Sequence, residues 1–460
     1  MSKLYTIWTM FVCIVIPTVV AGQFTAIPDS NFEQALIDLG IDSDGEINGT
    51  VATADISPIE TLDISSRNIQ NLQGLEDFSS LEVLFGQQNK IQNLSVRDNF
   101  ELRVLRMSDN LIGEINLSDN VKLEELYVDD NLLGTLNVRS NVDLKILDCS
   151  SNQLQRINVT DNFLLERLDF SSNGITEIDL FENPYLAYLD ISDNPLQFII
   201  LFNLIRLKEF HAEGNDLLTR IDFDQTHALK YISCHDNENL AVIEVRGTLA
   251  MKYLNCSNNQ LAELDLSQNE FLESLYCHNN KISSLDLSLN EKIAFVHCND
   301  NQLTELNLKN GQNALMTGGQ TEFEGETLYM EGLDATDNSE LECIQVDNSG
   351  DATAGTSPYD SWLKDDFASY SEDCQSPLDV TEYELDRSVR LLPNPVEDRI
   401  HIESSSLSIT RVTVYSVLGN TLKDFFTDFH HLEVMGLKPG IYYVRVNLEN
   451  GAVVKKMIKI

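Results

Sequence analysis

Leu144 to Asn162 reads LKILDCSSNQLQRINVTDN, and Leu272 to Asn290 reads LESLYCHNNKISSLDLSLN. Both fit one template, L-x-x-L-x-L/C-x-x-N-x-L-x-x-L-x-L-x-x-N, with Ile or Val in some leucine slots. With the first asparagine as marker, the slots fall at Asn89, Asn110, Asn131, Asn152, Asn173, Asn194 and Asn215, a strict period of 21. They continue at Asn237, Asn259, Asn280 and Asn301 in steps of 22, 22, 21 and 21, and Arg67 holds the same slot one copy earlier. Self-similarity at such a period marks a solenoid, in which each unit covers the apolar face of the next.

The template predicts its own local structure. In L-x-x-L-x-L alternating residues form a short strand, with the last two apolar slots facing inward and the residues between them facing out. Stacked units build a parallel sheet with strands about 4.7–4.9 Å apart, and each inward Leu or Ile gains on the order of 1.5–3 kcal/mol of burial once a neighbour covers it. The asparagine follows because a turn must close after the strand, and an Asn side chain satisfies turn backbone groups and tolerates left-handed backbone. The units resemble leucine-rich repeats, most closely the bacterial 21-residue class in which each unit is a doubled half-repeat. The fold class expected is therefore an α/β-type solenoid dominated by β.

The expected domains are a signal peptide (1–22), an amino-terminal cap (23–58), leucine-rich repeats (59–345), a carboxyl-terminal cap (346–374), a linker (375–388) and a terminal domain (389–460). Lys3, the apolar run Ile7 to Val20 and the small residues Ala21 and Gly22 form a Sec-type signal, with cleavage near Ala21 to Gln23. Ile27 to Ile41 predicts an amphipathic helix with Phe32, Ala35, Leu36 and Leu39 on one face, placed to cover the first repeat. The following IDSDGEI holds Asp42, Asp44 and Gly45 in the order of a calcium loop, yet counting back from Gly45 puts Val51 where a bidentate Glu is required. An acidic turn without metal is expected there.

Cys149, Cys234, Cys256, Cys277 and Cys298 each lie three residues before a marker, in the inward slot, and read as buried free thiols acting as small hydrophobes. In-register neighbours make poor disulfides, and no His shares their row to hold a metal. Cys343 and Cys374 stand outside the pattern. They flank a Trp and a helical stretch, a segment that resembles the carboxyl cap of related secreted repeat proteins, and the resemblance implies a disulfide between them. Between Asn301 and this cap, LNLKNGQNALMTGGQTEFEGETLYMEGLDATDN carries an insertion, expected as a loop.

The last segment alternates like strands and is cut by turns at Leu418-Gly419-Asn420 and Pro439-Gly440, which predicts a small antiparallel β-sandwich. Pro393-Asn394-Pro395, Val414-Tyr415, Gly419, Leu437 with Gly440-Ile441-Tyr442, and Lys455-Lys456-x-x-Lys459 resemble the type A sorting domain of the type IX secretion system of Bacteroidetes. Leu392 departs from that pattern, which often has an aromatic before the Pro-Asn-Pro. The resemblance implies passage across the outer membrane by the type IX machinery, removal of this domain, and attachment of the remainder to surface polysaccharide. The location expected is thus secreted or at the bacterial cell surface.

Composition narrows the partner. The chain has 31 basic and 73 acidic residues, a formal charge of −42, which argues against nucleic acid and anionic membranes. Recognition in a solenoid is written on its outward strand positions. Four residues before each marker these are Phe85, Arg106, Tyr127, Asp148, Asp169, Asp190, His211, Ser233, Asn255, Tyr276 and His297. Flanking positions add Tyr231, His235, Tyr253, His278, Phe295 and Asn299 to the later repeats. Aromatic and His side chains beside Asn amides offer flat apolar area with a polar edge, suited to an extracellular protein or glycan. The stacked Asp148, Asp169 and Asp190 would sit about 5 Å apart, with solvent expected to screen them. HExxH, GxSxG, Walker and GxGxxG motifs are absent, and no cofactor, catalytic or metal site is expected. Two functional classes follow, a surface protein that binds through its concave sheet and a structural spacer or scaffold with no soluble ligand.

Overall fold

In the computed structural model the central three residues of each strand template form a strand, and these pair in parallel, with the cap strand Trp362–Lys364 added at the far edge, in a fourteen-stranded sheet that begins at Thr61–Asp63. Residues 23–323, 326–374, 389–404, 408–416, 421–427, 429, 431–448 and 451–460 are described; the signal segment, the 375–388 linker and Gly419 lie outside them. The register follows the template. Leu126 pairs with Leu105 on one side and Leu147 on the other, all fully buried, while Glu125 and Tyr127 flank it on the outer face. At Gly86 the inward slot has no side chain, and a Cβ there would lie 2.7 Å from Met107 Sδ, so the next coil's methionine takes that space. The five ladder cysteines are buried free thiols, and burial pushes each thiol pKa up.

Each marker asparagine joins two coils. The Asn131 Nδ2 donates to Met107 O of the preceding coil at 2.9 Å and to Val128 O and Asp129 O of its own, while its Oδ1 accepts from Ile112 N at 3.0 Å. The left-handed residue is not the asparagine, as expected, but the one before it. Asp109, Asp130, Ser151, Ser172 and Asp193 have φ between 49° and 53°. That twist aims the following asparagine into the core, where short polar residues tolerate the strain. A second ladder runs half a coil away. Asn120, Asn141, Asn162 and Asn183 each donate to the carbonyl of the previous member, for example Asn141 Nδ2 to Asn120 O at 2.8 Å.

At the amino end the helix spans Ser30–Asp38, with Phe32, Ala35 and Leu36 fully buried. Leu39 falls beyond the last turn as its C-cap and is 43% exposed, because the helix stops before its slot can face the core. Asp29 caps the helix by accepting from Asn31 N and Phe32 N, and its other oxygen accepts from Gln70 N and Asn71 N of the first coil. Buried Glu33 accepts three backbone amides, from Asn48, Gly49 and Thr50. At the other end a short helix, Ser349–Ala354, precedes Trp362, whose indole donates to Met316 O at 2.8 Å. Cys343 and Cys374 are disulfide-bonded. The insertion is not a plain loop. Gly319–Phe323 pairs antiparallel with Glu326–Met330, as its alternation of β-branched and aromatic residues favours.

The chain divides into two units at Glu372 and Asp373. The second has antiparallel sheets of three and four strands around Val412, Val414, Val444, Val446 and Met457. Asn394 reads its last strand, with Nδ2 donating to Lys456 O at 2.7 Å and Oδ1 accepting from Ile458 N at 2.8 Å.

The acidic row of the concave face is withdrawn from water rather than screened by it. Asp148 and Asp169 each accept from the amide and hydroxyl of the serine two residues on, and Asp190 from Ser192 N. Burial raises the pKa of all three, and Asp169 lies 3.5 Å from Arg167. Burial also pushes Glu213 upward, but hydrogen bonds from His211, Ser192 and Ser233 outweigh it and hold the carboxyl at about 2.

Two outcomes follow from these ladders. Asn131→Ala strands buried carbonyls of two coils, and chemical denaturation should read a loss of roughly 2–4 kcal/mol. The raised aspartates bind protons more tightly folded than unfolded, so their own contribution to stability should grow as pH falls toward the ordinary carboxylate range near 4. The Glu213 contribution is intact above its ordinary value of 4.5 and is lost only as pH falls through about 2, below that window. Burial lowers the His278 pKa, which opposes the aspartates as pH falls through its ordinary value of 6.5, so their contribution is read as a difference: the Tm of the native chain minus that of the triple Asp→Asn variant at 148, 169 and 190 should rise as pH falls from about 7.5 to about 4.5. A difference that shrinks as pH falls contradicts the assignment.

Candidate functional site

All nine outward residues singled out in the later repeats lie on four consecutive strands, Tyr231–Ser233, Tyr253–Asn255, Ser274–Tyr276 and Phe295–His297, or just past their ends. The parallel register sorts them into columns. Tyr231 pairs with Tyr253, and Phe295 follows across Ser274; in the next column Asn255, Tyr276 and His297 are consecutive partners. His235, His278 and Asn299 continue two residues further along their strands. Two-residue alternation puts the first two columns on one face, while the inward Ile232, Leu254, Leu275 and Val296 are fully buried beneath them.

The rings touch across both columns. Tyr231 and Tyr253 are 5.9 Å apart between centroids, Tyr253 and Tyr276 5.4 Å, and Tyr276 and His297 5.2 Å, the last edge-on. Such offset and edge-on pairs are the favoured aromatic geometries. Burial raises the Tyr276 phenol to about 12, so it remains a neutral donor. Burial lowers His278, and the neighbouring His297 lowers it further, against Asp300, Asp334 and Asp236. A neutral imidazole with its Nδ1 buried and unpaired therefore faces His297, whose Nε2 is 3.9 Å from Glu331 Oε2. The polar edge is partly committed already. Asn255 Oδ1 accepts from Ser257 N and Oγ, Asn299 Nδ2 donates to Asp300, and His235 Nδ1 lies 2.6 Å from Asp236 Oδ2.

The array extends beyond the residues expected. Tyr188 and His211 form a further ring pair at 5.4 Å, and the Arg167 guanidinium lies 3.5 Å over the Tyr188 ring. Tyr188 stands in the same outward slot as Tyr231 and Tyr253, so the template alone could have found it. His227, the one repeat histidine outside the outward slots, faces elsewhere, with Nδ1 2.7 Å from Gly247 O. In the amino-terminal acidic turn the carboxylates hold backbone, with Asp44 Oδ1 accepting from Glu46 N and Asp55 Oδ2 from Ser43 N. Among the described residues no group of three or more His, Cys, Asp or Glu converges to hold a metal.

Comparison with known proteins separates the two units. Residues 390–460 match the secretion system C-terminal sorting domain family. No curated protein sequence matches the chain. Among solved structures the functional domain of InlJ from Listeria monocytogenes, described as including a cysteine ladder, is similar at 20% identity and a TM-score of 0.44, over 96% of this chain and all of that one. A leucine-rich repeat protein of Leptospira interrogans is similar at 17% identity and a TM-score of 0.47, over 68% of this chain and 97% of that one. The APL1 leucine-rich repeat domain is similar at 22% identity and a TM-score of 0.50, over 58% and 72%. These likenesses concern the fold. The chain is a leucine-rich repeat solenoid that ends in a type IX secretion sorting domain, the mark of a protein exported to the cell surface or beyond it.

Proposed function

We propose that the solenoid recognises an extracellular protein or glycan through its concave sheet, at the surface formed by Tyr231, Tyr253, Tyr276, His278 and His297. One observation carries this reading, the continuous stack of rings from Tyr231 to His297 across four strands. A stack of this kind gives a ligand a rigid apolar floor whose side chains are already ordered, so little conformational entropy is lost on binding. The adjacent Asn255, Asn299 and His235 supply donors and acceptors at its edge. The reading is non-enzymatic, since an open sheet excludes no water from a reacting bond. The type IX machinery is the partner of the terminal domain, and after its removal the solenoid is held on surface polysaccharide.

The other reading is a spacer or scaffold, favoured by the unbroken pairing of fourteen strands. The two separate in one experiment. Glycan and peptide arrays are probed with the chain from Gln23 onward and with its Tyr253→Ala, Tyr276→Ala, His278→Ala, His297→Ala variant. Recognition predicts a ligand whose binding weakens at least about tenfold in the variant while circular dichroism stays unchanged. Binding that survives all four substitutions removes this surface as the site, and arrays without any ligand favour the spacer.

A further inference from the structure

The coil from Asn194 to Asn215 departs from its neighbours on the return half, between the strands Tyr188–Asp190 and Glu209–His211. At the slot six residues after the marker most coils place Asn or Asp, whose side chain accepts from the amide two residues on, as in Asn116, Asn137, Asn158 and Asp179 before it and Asp265 and Asp286 after it, while Ser95, and Glu244 in a 22-residue coil, keep the slot polar in two others. Here the slot holds Ile200. The second asparagine ladder also breaks, since Leu204 follows Asn183 in its place, and Asn203 donates to Phe181 O from a left-handed backbone at φ 79°. In this coil both slots are apolar, whereas the next two coils place Thr226 and Thr248 in the ladder slot, each hydroxyl donating to a backbone carbonyl. Here Phe198, Ile200 and Phe202 stand 50%, 62% and 58% exposed, beside Phe181 at 55%. Together they line a cleft of about 660 Å³, with Arg156 and Glu177 at its rim.

We infer that this face is the interface of a homodimer, with a second copy of the chain as its occupant. Half-exposed rings offer roughly 100 Å² each, so the four side chains present about 400 Å² of apolar surface. The largest apolar patch on a typical monomer is itself about 300–600 Å² and is often functional, and this one is of that size. A standard interface covers about 800 Å² per partner, a little over half of it apolar, so the patch and its polar rim match one such interface in size and composition. An apolar surface is its own complement across a two-fold axis, because it has no donors or acceptors to match. The rim carries both signs, Arg156 against Glu177 and Asp179, which suits pairing with a copy of itself. The remainder of the solenoid is acidic, so the two copies repel at long range and salt strengthens their association. A basic partner of another kind would be weakened by salt instead. The concave columns take no part in this face.

Sedimentation velocity of the chain from Gln23 to Ile460, at concentrations up to about 100 µM and at low and high NaCl, tests the inference. The expected result is a monomer–dimer equilibrium that shifts toward dimer as salt rises. Phe198→Glu with Ile200→Asp restores the residue types of the preceding coil, at Glu177 and Asp179, and should weaken dimerisation at least about tenfold with the melting temperature held or raised. Phe202→Ser should do the same, and Phe271→Ser, an exposed ring on another coil, should leave dimerisation unchanged. A native chain that stays monomeric at both salts overturns the inference. So does a dimer that survives the Phe198/Ile200 and Phe202 substitutions.

Discussion

A primary carboxamide has two donors and an acceptor on one rigid plane, and this solenoid uses all three at the same point of nearly every coil. The marker asparagines span carbonyls of two coils and take an amide from a third segment, so each fixes the distance between coils and the turn within one. The coil length follows from this constraint, since any change between marker and marker must leave the carboxamide in place. The two coils of 22 residues, from Asn215 to Asn259, take their extra residue on the return half, where Arg220–Asp222 and Val242–Glu244 pair in parallel. Length varies where the asparagine does not reach.

Fixing the coil leaves the outward strand positions free to differ, and they differ in an ordered way. The earlier coils carry Asp148, Asp169 and Asp190 in one column, with serines closing on them; the later coils carry Asn255, Tyr276 and His297 in that same column. Glu213 stands near the change, taking hydrogen bonds from Ser192 on the acidic side and Ser233 on the aromatic one. The concave sheet is therefore banded along its length, with Arg106 over the rings of Phe85 and Tyr127 in the first coils, an acidic, internally hydrogen-bonded stretch in the middle, and a flat aromatic one in the later coils. The later coils offer flat ring area, with a polar edge partly committed to neighbours.

The sequence made the coil legible because its constraint repeats. Asn131 and its equivalents, the inward cysteines and the outward Tyr–His columns could all be placed by counting. What counting missed was conformational or contextual. The left-handed residue is Asp130 rather than Asn131, because the amide must point inward and only its predecessor can turn the chain to aim it. Asp148, Asp169 and Asp190 read as solvated because their slots face out, but serines two residues on and the Arg167 side chain cover them. The hairpin in the insertion and the apolar return half around Ile200 belong to no template, so no period announced them. Tyr188, by contrast, sat in a recognised slot and only its contact with Arg167 was invisible.

The row of buried cysteines bears on the life of the protein outside the cell. Cys234, Cys256, Cys277 and Cys298 occupy consecutive inward slots, and burial holds each thiol protonated. Disulfide exchange and peroxide attack both need a thiolate that solvent can reach, and the coiled chain supplies neither. An uncoiled chain supplies both. Oxidative fidelity therefore depends on winding outpacing sulfur chemistry, and a copy that winds late is marked by crosslinks that its correctly wound form cannot acquire.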